Sequence, residues 1–331
     1  MTLIQDARLN EDGLAKENGY ADTMKDLVMP YVASRQEKST LQGAGGVSLS
    51  VSRFSAESPR GTLVLVHGFT SSVEKFDELI FSLLQNGWSV LTYDQRGHGF
   101  SGRDPQIQDI SLVHVDRFED YVEDLETVCG ALLPGMPRPH VLFCHSMGGA
   151  VSGLFVEAHP DQFVRAVFCS PMIAPYLNGL PTGVARGICR LMGALGQKKA
   201  RIFASKPYAG PEEFETSCAS GQARFDWYND LRDRTPAYHT NGPTYQWTLE
   251  SIQVTGKLLA PGAVEKIRIP VIVYGAQDEF TVVPEAQQRF ADRLENGKRV
   301  VVAGARHEIY RSPDAVLFPW WHEILSFYDE A

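Results

Sequence analysis

The chain has 331 residues, which is enough for one large α/β domain with an insertion or for two modest domains. Its composition, 44% hydrophobic and 21% charged, is typical of a globular protein and too apolar for a disordered one. The formal net charge of -9 argues against nucleic acid as a partner, because proteins that bind nucleic acid carry a basic face.

The cysteines are an odd number, widely spaced and without a C-x-x-C pair: Cys129, Cys144, Cys169, Cys189 and Cys218. This pattern favours free thiols in a reducing compartment over a disulfide framework or a zinc site. Residues 1–14 mix charged residues into every apolar stretch, and the chain has no uncharged apolar run of about 18 residues. We therefore expect a cytoplasmic protein with no signal peptide, no membrane span and no zinc site.

Residues 1–45 are polar and are predicted to wrap the core as short helices. A regular alternation of elements then begins. The predicted strands are 46–54, 62–66, 88–93, 140–143, 164–169, 269–274 and 299–302. The predicted helices are 74–84, 118–133, 148–158, 284–294 and a terminal helix from Pro313. Strands alternating with helices of this length indicate βαβ units and a mostly parallel sheet that is covered on both faces.

The alternation breaks after Ser170-Pro171 and resumes at residue 269. The intervening stretch contains helical pieces with several glycines and prolines, which is typical of a cap inserted between two sheet strands. We therefore expect a core domain formed by residues 1–171 and 263–331, with 1–45 as an N-terminal wrap, and a helical cap at 172–262.

A strand-to-helix junction carries the sequence His145-Ser146-Met147-Gly148-Gly149. It matches the nucleophile elbow G-x-S-x-G except that Cys144 replaces the first glycine. The turn is so sharp that the residues two before and two after the serine must be small, and cysteine satisfies this requirement. A lone serine in such a turn is often only structural, but this one has candidate partners downstream.

The partners expected for Ser146 lie after later strands, in the chain order that this fold requires. Asp278 follows the strand at 269–274 and is predicted to hold the imidazole in the correct tautomer. Its only close rival is Glu279, which we expect to point elsewhere. His307 lies in the loop after the final strand and is the predicted general base.

An oxyanion hole needs two backbone N–H donors aimed at the developing negative charge. One is expected from Met147, which follows the nucleophile. The other is expected from the loop after the strand at 62–66, at Phe69.

Two other motifs match a dinucleotide site and part of a zinc protease site, but the residues around them exclude both. Gly97 to Gly102 fits G-x-G-x-x-G, but Arg103 continues a loop where a dinucleotide site would open a helix. Two His-Glu pairs, at His307 and His322, lack the second histidine four residues on that a zincin requires.

The run from residue 64 to 103, with His67-Gly68-Phe69 and Asp94-Gln95-Arg96-Gly97-His98-Gly99-Phe100-Ser101, resembles the lysophospholipase and monoacylglycerol lipase branch of the α/β-hydrolases. The cap string Gly242-Pro243-Thr244-Tyr245-Gln246-Trp247 is similar to that of bacterial inner-membrane lysophospholipases. The resemblance implies an α/β-hydrolase fold, hydrolysis of a carboxylic ester of a single-chain lipid and no cofactor. It also makes Tyr245 and Trp247 candidate substrate-binding residues.

Other activities are compatible with the same triad: a short-chain carboxylesterase, a prolyl aminopeptidase or an acyltransferase. An aminopeptidase would need a cap carboxylate to hold the substrate ammonium, and Glu212, Glu213, Glu215 and Asp226 are available. A hypothesis of another class is a catalytically inactive binding or scaffold protein, which the complete triad disfavours.

The cap has an uneven distribution of charge. Residues 172–211 contain no Asp or Glu but six basic residues: Arg186, Arg190, Lys198, Lys199, Arg201 and Lys206. In the same stretch an apolar stripe recurs at helical spacing: Val184, Ile188, Leu191, Met192 and Leu195. In one interpretation the stripe covers the active site while the basic residues face water. In the other the stripe docks transiently on an anionic membrane surface, which for a cytoplasmic protein is the inner face of the membrane.

Overall fold

The computed structural model describes residues 5–331, so the first four residues of the predicted N-terminal wrap lie outside the described part. Its centre is an eight-stranded sheet in the order β1-β2-β4-β3-β6-β7-β9-β10. These strands are β1 (Gln36–Gln42), β2 (Ser48–Phe54), β3 (Gly61–Val66), β4 (Trp88–Tyr93), β6 (His140–His145), β7 (Arg165–Cys169), β9 (Val271–Asp278) and β10 (Gly297–Arg306). A two-stranded ribbon joins β5 (Leu112–Val113) to β8 (Gly242–Pro243).

The sheet is mostly parallel. Only the β1–β2 and β2–β4 pairs are antiparallel, and the other pairs, from β4–β3 to β9–β10, run in the same direction. Parallel strands bring their carboxyl ends to one edge, where loops from different parts of the chain meet. The predicted mostly parallel α/β sheet is thereby confirmed.

Helices cover both faces of the sheet. They are α1 (Tyr20–Thr23), α2 (Met29–Arg35), α3 (Asp77–Gln85), α4 (Glu119–Leu132), α5 (Met147–Ala158), α6 (Thr182–Ala194), α7 (Gln222–Arg234), α8 (Tyr245–Leu258), α9 (Pro284–Ala291) and α10 (Asp314–Asp329). In β3, Val64 and Val66 pack toward the layer of α4, α5, α8 and α9, whereas Leu63 and Leu65 pack toward α3 and α10. Burial on both faces explains why the central strands read as continuous apolar runs.

The N-terminal segment differs from the sequence prediction. The N-terminal wrap does contain helix, but it ends in the strand β1, which pairs with β2 at the edge of the sheet. The side chains of Gln36–Gln42 are half-buried or exposed throughout, so the strand shows no alternation of apolar and polar residues. Its backbone pairing with β2, rather than its side chains, makes it a strand.

We call residues 172–262 the cap. It lies between β7 and β9 in the chain and carries the helices α6, α7 and α8. Three of its basic residues bind aspartates of the 104–116 segment: Lys198 binds Asp116, Lys199 binds Asp104 and Arg201 binds Asp109, with N–O distances of 2.5–2.8 Å. Among residues 5–331, every helix is too short or too polar to cross a membrane.

Candidate active site

The elbow that carries Ser146 is a sharp turn from strand to helix. β6 ends at His145 and α5 begins at Met147, and Ser146 between them has φ 52° and ψ -119°, a conformation that is costly for a residue with a side chain. A Cβ at Gly148 would lie 2.3 Å from the carbonyl oxygen of Val66. Glycine is therefore required where α5 passes β3, and the strained serine is held at the start of the helix.

Cys144 occupies the place where the elbow motif usually has glycine. It is fully buried in β6, and its Sγ lies 3.6 Å from the carbonyl oxygen of Val167. Burial raises the pKa of its thiol, so the thiol stays protonated at neutral pH. Its environment fits the predicted structural role.

His307 lies in the loop directly after β10 and faces the serine. Its Nε2 is 2.8 Å from Ser146 Oγ, and its Nδ1 is 2.8 Å from Glu279 Oε2. A carboxylate can only accept, so Nδ1 carries the proton and Nε2 is left as the acceptor for the serine hydroxyl. This is the tautomer that a general base needs.

The acid that contacts His307 is Glu279, and the prediction of Asp278 is wrong. The predicted strand ends at residue 274, but β9 continues through Asp278, whose side chain is exposed. The turn that directs an acid toward the imidazole therefore comes one residue later. Glu279 is almost fully buried, and its Oε1 accepts hydrogen bonds from the amides of Thr281 (2.8 Å) and Val282 (3.3 Å).

The loop after β3 packs directly against the nucleophile. A Cβ at Gly68 would lie 2.8 Å from Ser146 Cβ, so only glycine fits there. His67 fixes this loop because its Nδ1 is 2.8 Å from the Gly68 carbonyl oxygen and its Nε2 accepts from the Gln95 amide at 2.9 Å. Burial lowers the pKa of His67 to about 4, which keeps it neutral.

The two amides predicted to form the oxyanion hole are free to donate. Among the described residues, neither the Phe69 nor the Met147 amide donates to a protein acceptor. Met147 is the first residue of α5, where the helix dipole also favours negative charge. Both amides are therefore available to an oxyanion, and their assignment as the oxyanion hole stays a prediction.

Comparison with known proteins identifies the family. The family Hydrolase_4, described as "Serine aminopeptidase, S33", matches residues 57–314. The chain belongs to this α/β-hydrolase family. It is 30% identical to lysophospholipase L2 of Escherichia coli (strain K12) over 96% of this chain and 95% of the relative. It is 26% identical to the monoacylglycerol lipase of Mycolicibacterium smegmatis over 50% of this chain and 56% of that protein.

Solved structures agree on the fold of this hydrolase. A soluble variant of monoglyceride lipase from Saccharomyces cerevisiae superposes with a TM-score of 0.69 at 19% identity, covering 89% of this chain and 96% of its own. A thermostable carboxyl esterase from Bacillus coagulans gives 0.72 at 16% identity, covering 89% and 98%. These likenesses support the α/β-hydrolase architecture predicted from the sequence.

The two candidate substrate-binding residues of the hydrolase lie in different surroundings. Trp247 is 6% exposed, packs on the Phe69 ring with centroids 4.2 Å apart and thus contacts the loop after β3. Tyr245 instead lines an apolar cavity of the cap together with Ile188 and Phe203. The structure therefore brings only Trp247 close to the elements around Ser146.

A buried charge cluster behind His307 was not predicted. Glu308 binds both Lys75 and Arg311, and all three side chains are less than 10% exposed. Arg311 also donates to the carbonyl oxygens of Arg224 and Phe225 in α7. The cluster thus ties the histidine loop to the cap. The only sequence signal was the charged residue directly after His307.

Two groups of acidic and histidine side chains among residues 5–331 could hold a metal ion, and neither contains Ser146, Glu279 or His307. In one of them, Asp104 and Asp116 flank His114, but their carboxylates already bind Lys199 and Lys198. Their charge is therefore compensated within the protein. The expectation that the hydrolase needs no metal or cofactor stays a prediction.

Proposed function

We propose that this hydrolase cleaves carboxylic esters of single-chain lipids, as a lysophospholipase or monoacylglycerol lipase, through an acyl-enzyme on Ser146. The observation that carries the proposal is the continuous relay from Ser146 Oγ through His307 to Glu279, with both hydrogen bonds at 2.8 Å. The relatives named lysophospholipase L2 and monoacylglycerol lipase support the substrate class.

In the proposed reaction Ser146 Oγ attacks the ester carbonyl while its proton moves to His307 Nε2. Glu279 stabilises the imidazolium that forms, and the amides of Phe69 and Met147 bind the oxyanion. The imidazolium then protonates the leaving alcohol. Water, activated by His307, attacks the acyl-enzyme and releases the fatty acid.

The carboxylates of the cap favour an ester over a peptide substrate. An aminopeptidase has to hold a substrate ammonium, which a carboxylate inside the site does best. Glu212, Glu213, Glu215 and Asp226 are all exposed to solvent. Glu212 is moreover bound to Arg232, and Asp226 accepts from Gln222. None of the four is thus placed as a buried ammonium ligand.

The test is a comparison of hydrolysis rates for lysophosphatidylcholine, 1-monoacylglycerol, p-nitrophenyl butyrate and prolyl p-nitroanilide. We expect the two lipids to be cleaved with the highest kcat/KM, and a fluorophosphonate probe to label wild type but not Ser146→Ala. Preference for the prolyl amide would support the aminopeptidase alternative. Folded wild-type protein that the probe fails to label would support an inactive binding protein.

We further propose that the cap makes transient contact with an anionic membrane surface through α6. Val184, Leu191 and Leu195 are 50%, 59% and 64% exposed, so this part of the predicted stripe does not cover the active site. Arg186 and Arg190 form no ion pair with a described residue, whereas Lys198 and Lys199 are engaged with aspartates. The expected location, cytoplasmic with contact at the inner membrane face, stays a prediction.

Vesicle co-sedimentation tests the membrane contact. Replacing Val184, Leu191 and Leu195 with Ser should reduce binding to vesicles that contain phosphatidylglycerol, and Arg186→Gln/Arg190→Gln should reduce it at low salt. Val301→Ser is the matched control, because Val301 is 50% exposed but lies on β10. Equal binding of all variants, or no binding of wild type, would contradict the proposal.

A further inference from the structure

Trp247 is held firmly at the start of a cap helix. Thr244 caps α8 by accepting a hydrogen bond from the Trp247 amide at 3.1 Å. The indole Nε1 donates to the hydroxyl of Tyr121, on α4 of the core, at 3.2 Å. Backbone and side chain are therefore fixed independently, one by the cap and one by the core.

The indole ring of Trp247 packs against the ring of Phe69. The two rings lie 4.2 Å apart between centroids with an interplanar angle of 40°, and Phe69 also forms a T-shaped pair with His98 at 5.7 Å. Aromatic pairs of this kind attract one another beyond what the buried area alone contributes.

The backbone around Phe69 is supported on its N-terminal side, where His67 Nδ1 lies 2.8 Å from the Gly68 carbonyl oxygen, and less on its C-terminal side. Among residues 5–331, the amide groups of Phe69 and Thr70 form no hydrogen bonds with protein acceptors. Thr70 moreover has φ 53°, a left-handed conformation that costs free energy for a residue with a side chain. The position of the Phe69 N–H therefore depends on two contacts: the hydrogen bond between His67 and the Gly68 carbonyl of the same peptide, and the packing of the Phe69 ring.

We propose that Trp247 is a positioning residue for the oxyanion hole: through the Phe69 ring it holds the Phe69 N–H in the direction of the developing charge. The cap then contributes to transition-state stabilisation without contacting the reacting atoms. The inference rests on the proposed acyl-enzyme mechanism at Ser146. It assigns to Trp247 a role different from the substrate binding expected from the sequence.

A contact between the cap and the core also holds the residue that caps α8. His114 Nδ1 lies 3.0 Å from Thr244 Oγ1, the same oxygen that caps Trp247. His114 belongs to the segment whose aspartates bind Lys198 and Lys199. The seating of the cap on this segment thus fixes the start of α8 from which Trp247 reaches Phe69.

The experiment compares Trp247→Leu with wild type on p-nitrophenyl butyrate and on an alkylboronic acid. Ser146 Oγ adds to the boron atom of the inhibitor, and the serine proton moves to His307. The resulting anionic, tetrahedral boronate places one of its hydroxyl groups in the oxyanion hole. Loss of an oxyanion donor costs about 10²–10³ in kcat, so a displaced donor should cost roughly 10- to 100-fold. We expect the inhibition constant of the boronic acid to rise by the same factor while KM changes little.

Two further variants separate positioning from packing. Trp247→Phe keeps a ring against Phe69 and should restore most of the activity. Phe69→Leu removes the contact from the other side, and the double variant with Trp247→Leu should lose no more than Phe69→Leu alone. Trp227→Leu is the matched control, because Trp227 is a half-buried tryptophan of the cap helix α7 that packs in the other hydrophobic cluster.

Several outcomes overturn the inference. A raised KM with unchanged boronate affinity would make Trp247 a substrate contact, and unchanged kcat and boronate affinity would make it a purely structural residue. If Trp247→Leu fails to fold, Tyr121→Phe, which frees the indole, must show the same selective loss on a smaller scale. Failure of a fluorophosphonate to label wild type would instead reject the proposed function.

Discussion

Replacing Glu279 with Gln exchanges one carboxylate oxygen for an amide nitrogen and leaves the size of the side chain unchanged. In the native protein Oε1 accepts from the amides of Thr281 and Val282, and Oε2 faces His307 Nδ1. The two backbone donors will hold the glutamine oxygen at the Oε1 position. The amide NH₂ group must then face Nδ1 as a donor.

This arrangement favours the wrong tautomer of His307. With a donor at Nδ1, the proton of the neutral imidazole moves to Nε2, which can then no longer accept the proton of Ser146. The opposite amide orientation does not help, since it would place NH₂ against two backbone N–H groups. In serine proteases the corresponding change from acid to amide lowers kcat by about 10⁴. We expect about 10³–10⁴ here, which is about 4–5.5 kcal/mol of activation free energy.

Asp278→Asn is the matched control, because it makes the same chemical change one residue earlier on an exposed side chain. Its kcat on p-nitrophenyl butyrate should stay close to that of wild type, and both variants should melt at nearly the same temperature. The reasoning would be refuted if Asp278→Asn lost activity by orders of magnitude while Glu279→Gln retained it. The acid would then be the one expected from the sequence.

Three other outcomes follow from the same contacts. Ser146→Ala should lose at least about three orders of magnitude in kcat with little change in Tm, as measured by esterase assay and thermal unfolding. Cys144→Ala should stay active, and inactivation of a folded variant would reveal a catalytic thiol. Glu308→Gln leaves the buried charges of Lys75 and Arg311 unpaired, so urea unfolding should show a loss of about 3–5 kcal/mol, which a loss near zero would contradict.

The strands and helices that the sequence predicts most accurately are those whose structure a local pattern of residues determines. The run Trp88–Tyr93 was predicted with the bounds that β4 has, because a strand buried on both faces must be apolar at every position. The edge strand β1 shows the opposite case. Its polar side chains carry no periodic signal, and its identity depends on hydrogen bonds to β2, which the chain reaches only after a turn.

The acid illustrates how a small error in a strand end changes a site. The end of β9 offers two adjacent carboxylates, those of Asp278 and Glu279. Their side chains point in different directions because successive side chains alternate along an extended chain. Only the end of the strand decides which of them faces His307. That end is set by the parallel pairing of β9 with β10, where Asp278 lies opposite Arg306. Such a contact lies outside what the local sequence can encode.

The cap shows the same limitation for charge. Composition left open whether the six basic residues face water or a membrane, but half of them bind aspartates that lie about 80 to 95 residues earlier in the chain. Because of this pairing, we expect apolar surface to contribute more than charge to the free energy of the proposed membrane contact. About half of each of Val184, Leu191 and Leu195 remains to be buried, and full burial of such a side chain contributes about 1.5–3 kcal/mol.

The three side chains can therefore supply about 2–5 kcal/mol, compared with roughly 1 kcal/mol for each of Arg186 and Arg190 near an anionic surface. Salt screens only the second contribution. Binding of the hydrolase to anionic vesicles should thus weaken but persist at high ionic strength. A contact through six free basic residues would instead be almost abolished under those conditions. Measuring co-sedimentation at two salt concentrations therefore distinguishes the contact inferred from the structure from the one inferred from composition.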